Sequence, residues 1–246
     1  EGDAFIRSHG FCLPPFAYLS PDELRAAEHG EIKRRNMGWD ITDYGAGDFD
    51  RMGLFLFTTR NGLNADLGKH SAMLYAEKIM ISRQNQLSPM HRHDLKVEDI
   101  INRGGGTLVL ELFTATPEGE IDRDAQVTVL CDGMERSLPA GGHLKLAPGE
   151  SVTLFPTTWH AFWGEGSDVL IGEVSTVNDD LTDNIFEMEI GRFYERRRQW
   201  LSATLRFRRV VDQYQTTTHT PEALMRLTET YLALGVRGEA EKAAAV

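Results

Sequence analysis

Cysteine is nearly absent from this 246-residue chain, with Cys12 and Cys131 the only two. Two thiols could form one bridge but no disulfide framework, so a reducing compartment, the cytoplasm, is the expected setting. Positive charge is also scarce. Lys and Arg number 26 against 37 Asp and Glu, for a formal charge of −11, which argues against nucleic-acid binding through bulk electrostatics. No apolar run approaches the length of a membrane span. The opening Glu1-Gly2-Asp3 is unlike a secretory leader, so no signal peptide is expected. The missing initiator Met implies processing, trimming or an artificial boundary. Against these absences, 41% of residues are hydrophobic, enough for the core of one large domain, or of one domain with an appendage.

Three textures follow one another along the chain. Phe11 to Ala17, with Pro14 and Pro15, reads as an extended arm. Ser20-Pro21-Asp22-Glu23 then reads as a helix start with a capping box, the helix running to about Arg35. From about Leu54 to Thr176, short apolar or alternating runs recur: Leu54 to Phe57, Lys78 to Ile81, Glu98 to Ile101, Thr107 to Phe113, Gln126 to Cys131, His143 to Leu146, Ser151 to Phe155 and Asp168 to Val174. Turn residues separate them, among them Arg103-Gly104-Gly105-Gly106. Many short strands at this spacing predict a mainly β sandwich or barrel. After about Glu187 the apolar spacing becomes helical, with a start at Thr220-Pro221-Glu222 and an end at Gly235, so three or four helices are expected.

The chemistry centres on Met90-His91-Arg92-His93, with a carboxylate, Glu98, five residues later. On a strand, residues two apart share a face, so the two imidazoles converge and a turn can bring Glu98 back to join them. Phe155-Pro156-Thr157-Thr158-Trp159-His160 offers a fourth ligand. His91, His93, Glu98 and His160 together suit one divalent transition metal, Mn, Fe, Zn or Co. Lone histidines are more often core or surface residues, but the carboxylate, the glycines and the later Pro-x-x-x-His favour a metal site. Lys78 lies between apolar neighbours on the strand before His91. It is expected to face the barrel, where it would neutralise charge developing on a substrate oxygen. Glu173, in Leu170-Ile171-Gly172-Glu173-Val174, shares a face with Ile171. A carboxylate inside such a strand needs a partner, and there it could act as acid and base. Asp179, Asp180 and Asp183 form an acidic loop that either is merely solvated or binds hydroxyl groups. Arg192 is a candidate substrate contact, and Arg103 reads as structural.

At these residues the chain resembles the cupin superfamily. His91-x-His93, Glu98 and, six residues on, Gly105 match the first cupin motif. Gly149, Pro156 and His160 fit the second loosely, with Thr158 in place of a Gly and Gly164 in place of an Asn. Leu13-Pro14-Pro15-Phe16-Ala17, Gly38-Trp39-Asp40-Ile41-Thr42-Asp43-Tyr44-Gly45, Glu98 to Gly106 and Gly172 to Asp180 further resemble the D-lyxose ketol-isomerase family over about 1–186. That resemblance implies a cupin jelly-roll barrel, or double-stranded β-helix, usually dimeric. It implies a manganese enzyme, with Co, Fe or Zn as alternatives, that interconverts D-lyxose and D-xylulose, and D-mannose and D-fructose. On this reading Glu173 moves a proton between C2 and C1 through a cis-enediol, Lys78 stabilises the enediolate or relays a hydroxyl proton, and Asp183 assists. Asp180 and Arg192 contact the sugar. An iron cupin dioxygenase, or a non-catalytic sugar-binding or repeat-mediated interaction protein, is the alternative.

The tail resembles another family. Gly191-Arg192-Phe193-Tyr194-Glu195, Phe207 to Gln215 and Thr218 to Leu224 are similar to the tetratricopeptide-type repeats of the outer-membrane β-barrel-assembly lipoprotein. The resemblance implies a helical fragment over 187–246, joined to a cupin domain over 1–186 as in a chimera. Such repeats need stacked neighbours. The stripe Leu201, Leu205, Val210, Leu224, Leu227 and Tyr231 is therefore expected to need a cover.

Overall fold

The alternating runs between residues 54 and 176 do form strands, as their period of two requires. The computed structural model describes residues 1–44, 47–66, 69, 72–93, 95–177, 184–185, 194–195, 197–213 and 220–245. Its strands are β1 (Gly38–Thr42), β2 (Leu54–Asn61), β3 (Tyr75–Ser82), β4 (Ser88–His93), β5 (Glu98–Ala115), β6 (Ile121–Asp122), β7 (Val127–Cys131), β8 (Met134–Leu138), β9 (Gly142–Leu146), β10 (Ser151–Leu154), β11 (Thr158–Thr176) and β12 (Asn184–Ile185). They fall in one antiparallel sheet of order β1-β2-β3-β11-β5-β10-β7-β8, with β4 on β11 and with β6 and β9 on β5.

β5 and β11 are the frame. They pair with each other from Thr158↔Thr114 to Ser175↔Glu98. The first part of β5 also pairs β10 and its second part β9, while β11 pairs β4 through its first part and β3 through its second. Each long strand thus passes from one side of the barrel to the other, which is how a jelly roll closes. The bend is made of glycine. The expected turn at Arg103–Gly106 between two strands is instead a stretch of one continuous strand. Gly105 has φ +96, and a Cβ there would lie 2.1 Å from the Asp168 carbonyl oxygen. The register of β5 against β11 shifts beside it, between Glu165 and Val169. Two backbones touch here, and no side chain fits between them.

The N-terminal arm covers the outer face of this sheet. α1 (Gly2–Ser8) and a 3-10 turn at Pro15–Tyr18 bring Ile6, Leu13 and Ala17 onto Phe57, Ile79, Ile81 and Leu170. Of the arm expected to be extended, Phe11 to Ala17, Pro15 to Ala17 lie instead in that 3-10 turn. Because strand faces alternate, Lys78 and Glu173 point the other way, into the barrel. The capping box at Ser20 forms, with Glu23 Oε2 accepting from the Ser20 N–H at 2.7 Å. Yet α2 (Pro21–Leu24) makes one turn, and a 3-10 turn and α3 (Gly30–Arg34) follow in place of one helix to Arg35. Neither α2 nor α3 buries a residue, so no apolar face holds a longer helix together.

Residues Glu1–Thr42 and Asp48–Asn184 form one compact unit; Asp43–Gly47 and Ile185–Val246 form another. The helices described in the second are α4 (Trp200–Gln213), α5 (Thr220–Ala233) and α6 (Arg237–Ala244). Ala203, Phe207 and Val210 of α4 pack with Ala223, Leu227 and Tyr231 of α5 and with Ala240 and Ala243 of α6. The expected apolar stripe splits. Val210, Leu227 and Tyr231 are buried, whereas Leu201 and Leu205 are 63% and 61% exposed. They lie on the side of α4 opposite Ala203 and Phe207, since neighbours two apart on a helix face away from each other. Among the described residues no helix is long and apolar enough to cross a membrane.

Candidate active site

β4 delivers His91 and His93 to one face, and β11 places His160 opposite His91. The ring centroids of His91 and His160 are 4.1 Å apart, those of His91 and His93 5.2 Å, and those of His93 and His160 5.5 Å. All three are buried, with one nitrogen from each lying within 4.8 Å of the others. Glu98, the first residue of β5, sets Oε1 3.1 Å from His93 Nε2 and 3.2 Å from His160 Nε2.

Backbone carbonyls orient two of the rings. His91 Nδ1 lies 2.8 Å from the Pro89 carbonyl oxygen, and His160 Nδ1 3.3 Å from that of Thr158. A carbonyl only accepts, so each Nδ1 carries the hydrogen and each Nε2 keeps its lone pair. His160 Nε2 is buried with no hydrogen-bond partner, yet it faces a carboxylate oxygen. Two electron-rich atoms so placed repel unless positive charge lies between them. Ligands about 2.1 Å from one ion and at right angles stand about 3 Å apart. The donor set therefore fits a divalent transition metal.

Burial pushes His91 well below its ordinary value of 6.5, and His160 and His93 add to the shift, which keeps the ring in its neutral, metal-binding form. Burial alone would raise the Glu98 carboxyl, but the charges of His93 and Lys96 beside it outweigh that and hold the group well below 4.5.

A second carboxylate completes the interior. Glu173 stands opposite Lys78 in the β11–β3 ladder, with Lys78 Nζ 3.6 Å from Glu173 Oε1. Ser175 Oγ donates to the same oxygen at 3.2 Å. Between the two carboxylates stands Lys96, which sequence reasoning missed. Its Nζ is 2.8 Å from Glu98 Oε2 and 3.1 Å from Glu173 Oε1. Lys96 is 2% and Glu173 4% exposed, so each charge depends on its neighbours rather than on water. The signal for Lys96 was present. It lies between Leu95 and Val97, the same setting that singled out Lys78, and two residues from Glu98.

The structure thus brings together His91, His93, Glu98, His160, Lys78 and Glu173. Asp179, Asp180, Asp183 and Arg192 lie outside the described residues. Arg103 packs over Gly172, where a Cβ would come 2.8 Å from its Nε, a structural place. Trp159 and Phe162 are buried, and Trp163 meets His143 edge to face.

A bent-strand barrel enclosing three imidazoles and a carboxylate is a cupin barrel. Among solved structures, a mutant L-ribose isomerase of Acinetobacter sp. DL28 in complex with L-ribose shares the fold, with a TM-score of 0.50 at 12% identity over 75% of this chain and 87% of that one. The D-lyxose isomerase family model matches residues 1–199, and the chain belongs to that family of sugar-isomerising enzymes. Over 186 residues it is 50% identical to the D-lyxose/D-mannose isomerase of Serratia proteamaculans, covering 74% of this chain and 80% of that protein. The outer membrane lipoprotein family matches residues 172–246, so the two matches overlap on 172–199. The chain is also 47% identical over 74 residues to the outer membrane protein assembly factor BamD of Caulobacter vibrioides, 30% of this chain and 24% of that protein. The chain thus spans about a quarter of that relative.

Proposed function

We propose that the barrel interconverts D-lyxose with D-xylulose, and D-mannose with D-fructose, by moving one proton between C2 and C1 through a cis-enediol. The observation that carries this reading is the pair of buried carboxylates, Glu98 and Glu173, sharing the Lys96 ammonium beside three imidazoles. His91, His93, Glu98 and His160 would hold the metal, manganese by family resemblance. A divalent cation bound there supplies Lewis-acid polarisation of adjacent sugar oxygens.

The chain's own groups do the proton work. Glu173, between Lys78 and Lys96, takes the C2 proton. The electron pair of the broken C2–H bond becomes the C1=C2 bond of the enediol, and the carbonyl oxygen at C1 gains a proton. Return of the proton from Glu173 to C1, with loss of the O2 proton, leaves the ketose. Lys78 stabilises the oxyanion on this route and relays the hydroxyl proton. Asp183 assists, and Asp180 and Arg192 bind sugar hydroxyls; these three roles rest on the sequence alone.

Residues 1–186 form the isomerase domain on this reading and 187–246 a tetratricopeptide-like fragment. The barrel acts as a homodimer, which light scattering checks. The deciding experiment is turnover of D-lyxose and D-mannose with manganese and again after chelation, with dissolved oxygen monitored. Ketose should form only with metal, and no oxygen should disappear. Oxygen uptake without isomerisation would favour the dioxygenase.

A further inference from the structure

Arg92 sits between two histidines in the sequence but on the opposite face of β4, as alternation requires. There its half-buried guanidinium reaches three separate segments of backbone. Nη1 donates to the carbonyls of His93 and Pro156, each at 3.3 Å, and Nε donates to that of Gly119 at 3.3 Å. Trp159 Nε1 donates to the same Gly119 oxygen at 3.2 Å, and the guanidinium carbon stands 5.8 Å from the Trp159 ring centroid. Gly119 has φ +87 in the turn between β5 and β6, and a Cβ there would come 2.7 Å from Arg92 Nη2. The turn closes directly onto the guanidinium.

The strand ladder alone is a poor tie at this point. The register of β4 against β11 shifts between His160 and Phe162, immediately beyond the histidine whose distance from His91 matters most. Arg92 links the end of β4 to Pro156, in the turn that leads into His160, and to the flank of Trp159. We propose that Arg92 is a positioning residue for the three-histidine site, a role that rests on the metal-site reading above. It would fix the spacing of His91 and His93 from His160 from behind the sheet. A planar fork of N–H donors suits several carbonyls at once, whereas a lysine offers one compact charge.

The test titrates Mn(II) into the metal-free full-length chain, its Arg92→Ala variant and its Arg92→Lys variant, following the free ion by its paramagnetic resonance. Thermal unfolding is measured on each protein with and without the metal. Arg92→Ala is expected to weaken Mn(II) binding about ten- to hundredfold, the usual effect of losing a group behind a metal ligand. Arg92→Lys should recover part of that loss. The unfolding temperature should fall further with metal than without it, because weaker binding withdraws the stabilisation that metal adds. Unchanged affinity in Arg92→Ala, or equal loss of stability with and without metal, would overturn the proposal and leave Arg92 a packing residue. Should Arg92→Ala fail to fold, Arg92→Lys decides: wild-type affinity overturns the proposal and weaker affinity supports it. A wild-type chain that takes up no Mn(II) sinks both this proposal and the metal site, a result distinct from equal binding by wild type and variants.

Discussion

Lys96 holds two buried carboxylates with one ammonium, so its loss should be felt in folding before catalysis. Lys96→Met is expected to destabilise the metal-free protein by about 3–5 kcal/mol, the usual cost of stripping one partner from a buried ion pair, as read by urea unfolding. Glu173→Gln keeps the shape and removes the charge. It should retain Mn(II) affinity yet lower turnover at least about a hundredfold; normal turnover would take Glu173 off the proton route. Acid should weaken the metal-free fold through His91 and Glu98. Both folded values are depressed, so in acid the unfolded chain binds more protons, and stability falls as pH falls. The loss through His91 begins below its ordinary 6.5, and that through Glu98 below 4.5. Urea midpoints at about pH 7 and about pH 5 check the first part; a midpoint that rises in acid would contradict it. The imidazoles were legible in the sequence because a strand period of two makes His-x-His converge. Lys96 carried only the weak signal of its apolar neighbours, Leu95 and Val97, and it takes the fold to show that it lies against both Glu98 and Glu173.

The bend in β5 and β11 shows what periodicity leaves open. Two apolar runs parted by glycines read equally well as two strands with a turn or as one strand bent sharply, since both need a backbone that only glycine adopts. The close approach of Asp168 decides for the bend. Gly105 and Gly149 separate the two costs involved, having nearly equal φ of +96 and +98, while only at Gly105 would a Cβ meet backbone. Gly149→Ala should cost backbone strain alone, about 1–3 kcal/mol. Gly105→Ala should cost clearly more, since the Asp168 carbonyl must move. Equal losses in chemical denaturation would mean that the two backbones do not press on each other at this crossing. The helix expected from Ser20 failed for a different reason: its cap was legible in four residues, but the absence of an apolar face to sustain it was not weighed.

On the scale of the whole chain, the change of texture near residue 187 was visible because the apolar period shifts from that of strands to that of helices. The splitting of the tail's apolar stripe was not, because a helix with two apolar sides gives the same residue count as one with a broad face. Each unit has its own buried core. Calorimetry of the full chain is expected to show two transitions, of which only the barrel's rises with added Mn(II), because a ligand stabilises the unit that binds it. A single transition that shifts as a whole would show that the two units unfold together.

The oxygen of Glu173 that would carry the travelling proton is ringed by other exchangeable hydrogens, those of Lys96, Lys78 and Ser175, and the cluster is sealed from water. An isotope lifted from a sugar would therefore be diluted into a small private pool rather than washed into solvent. Starting from lyxose deuterated at C2, the xylulose formed early in the reaction should carry deuterium at C1 in part of its molecules. That fraction should be well below complete and well above zero. Where Ser175→Ala or Lys78→Ala leaves enough activity to measure, the fraction should rise if the lost group shared the pool, because fewer hydrogens compete, and stay the same if it did not, so a rise marks a neighbour that trades protons with the carboxylate.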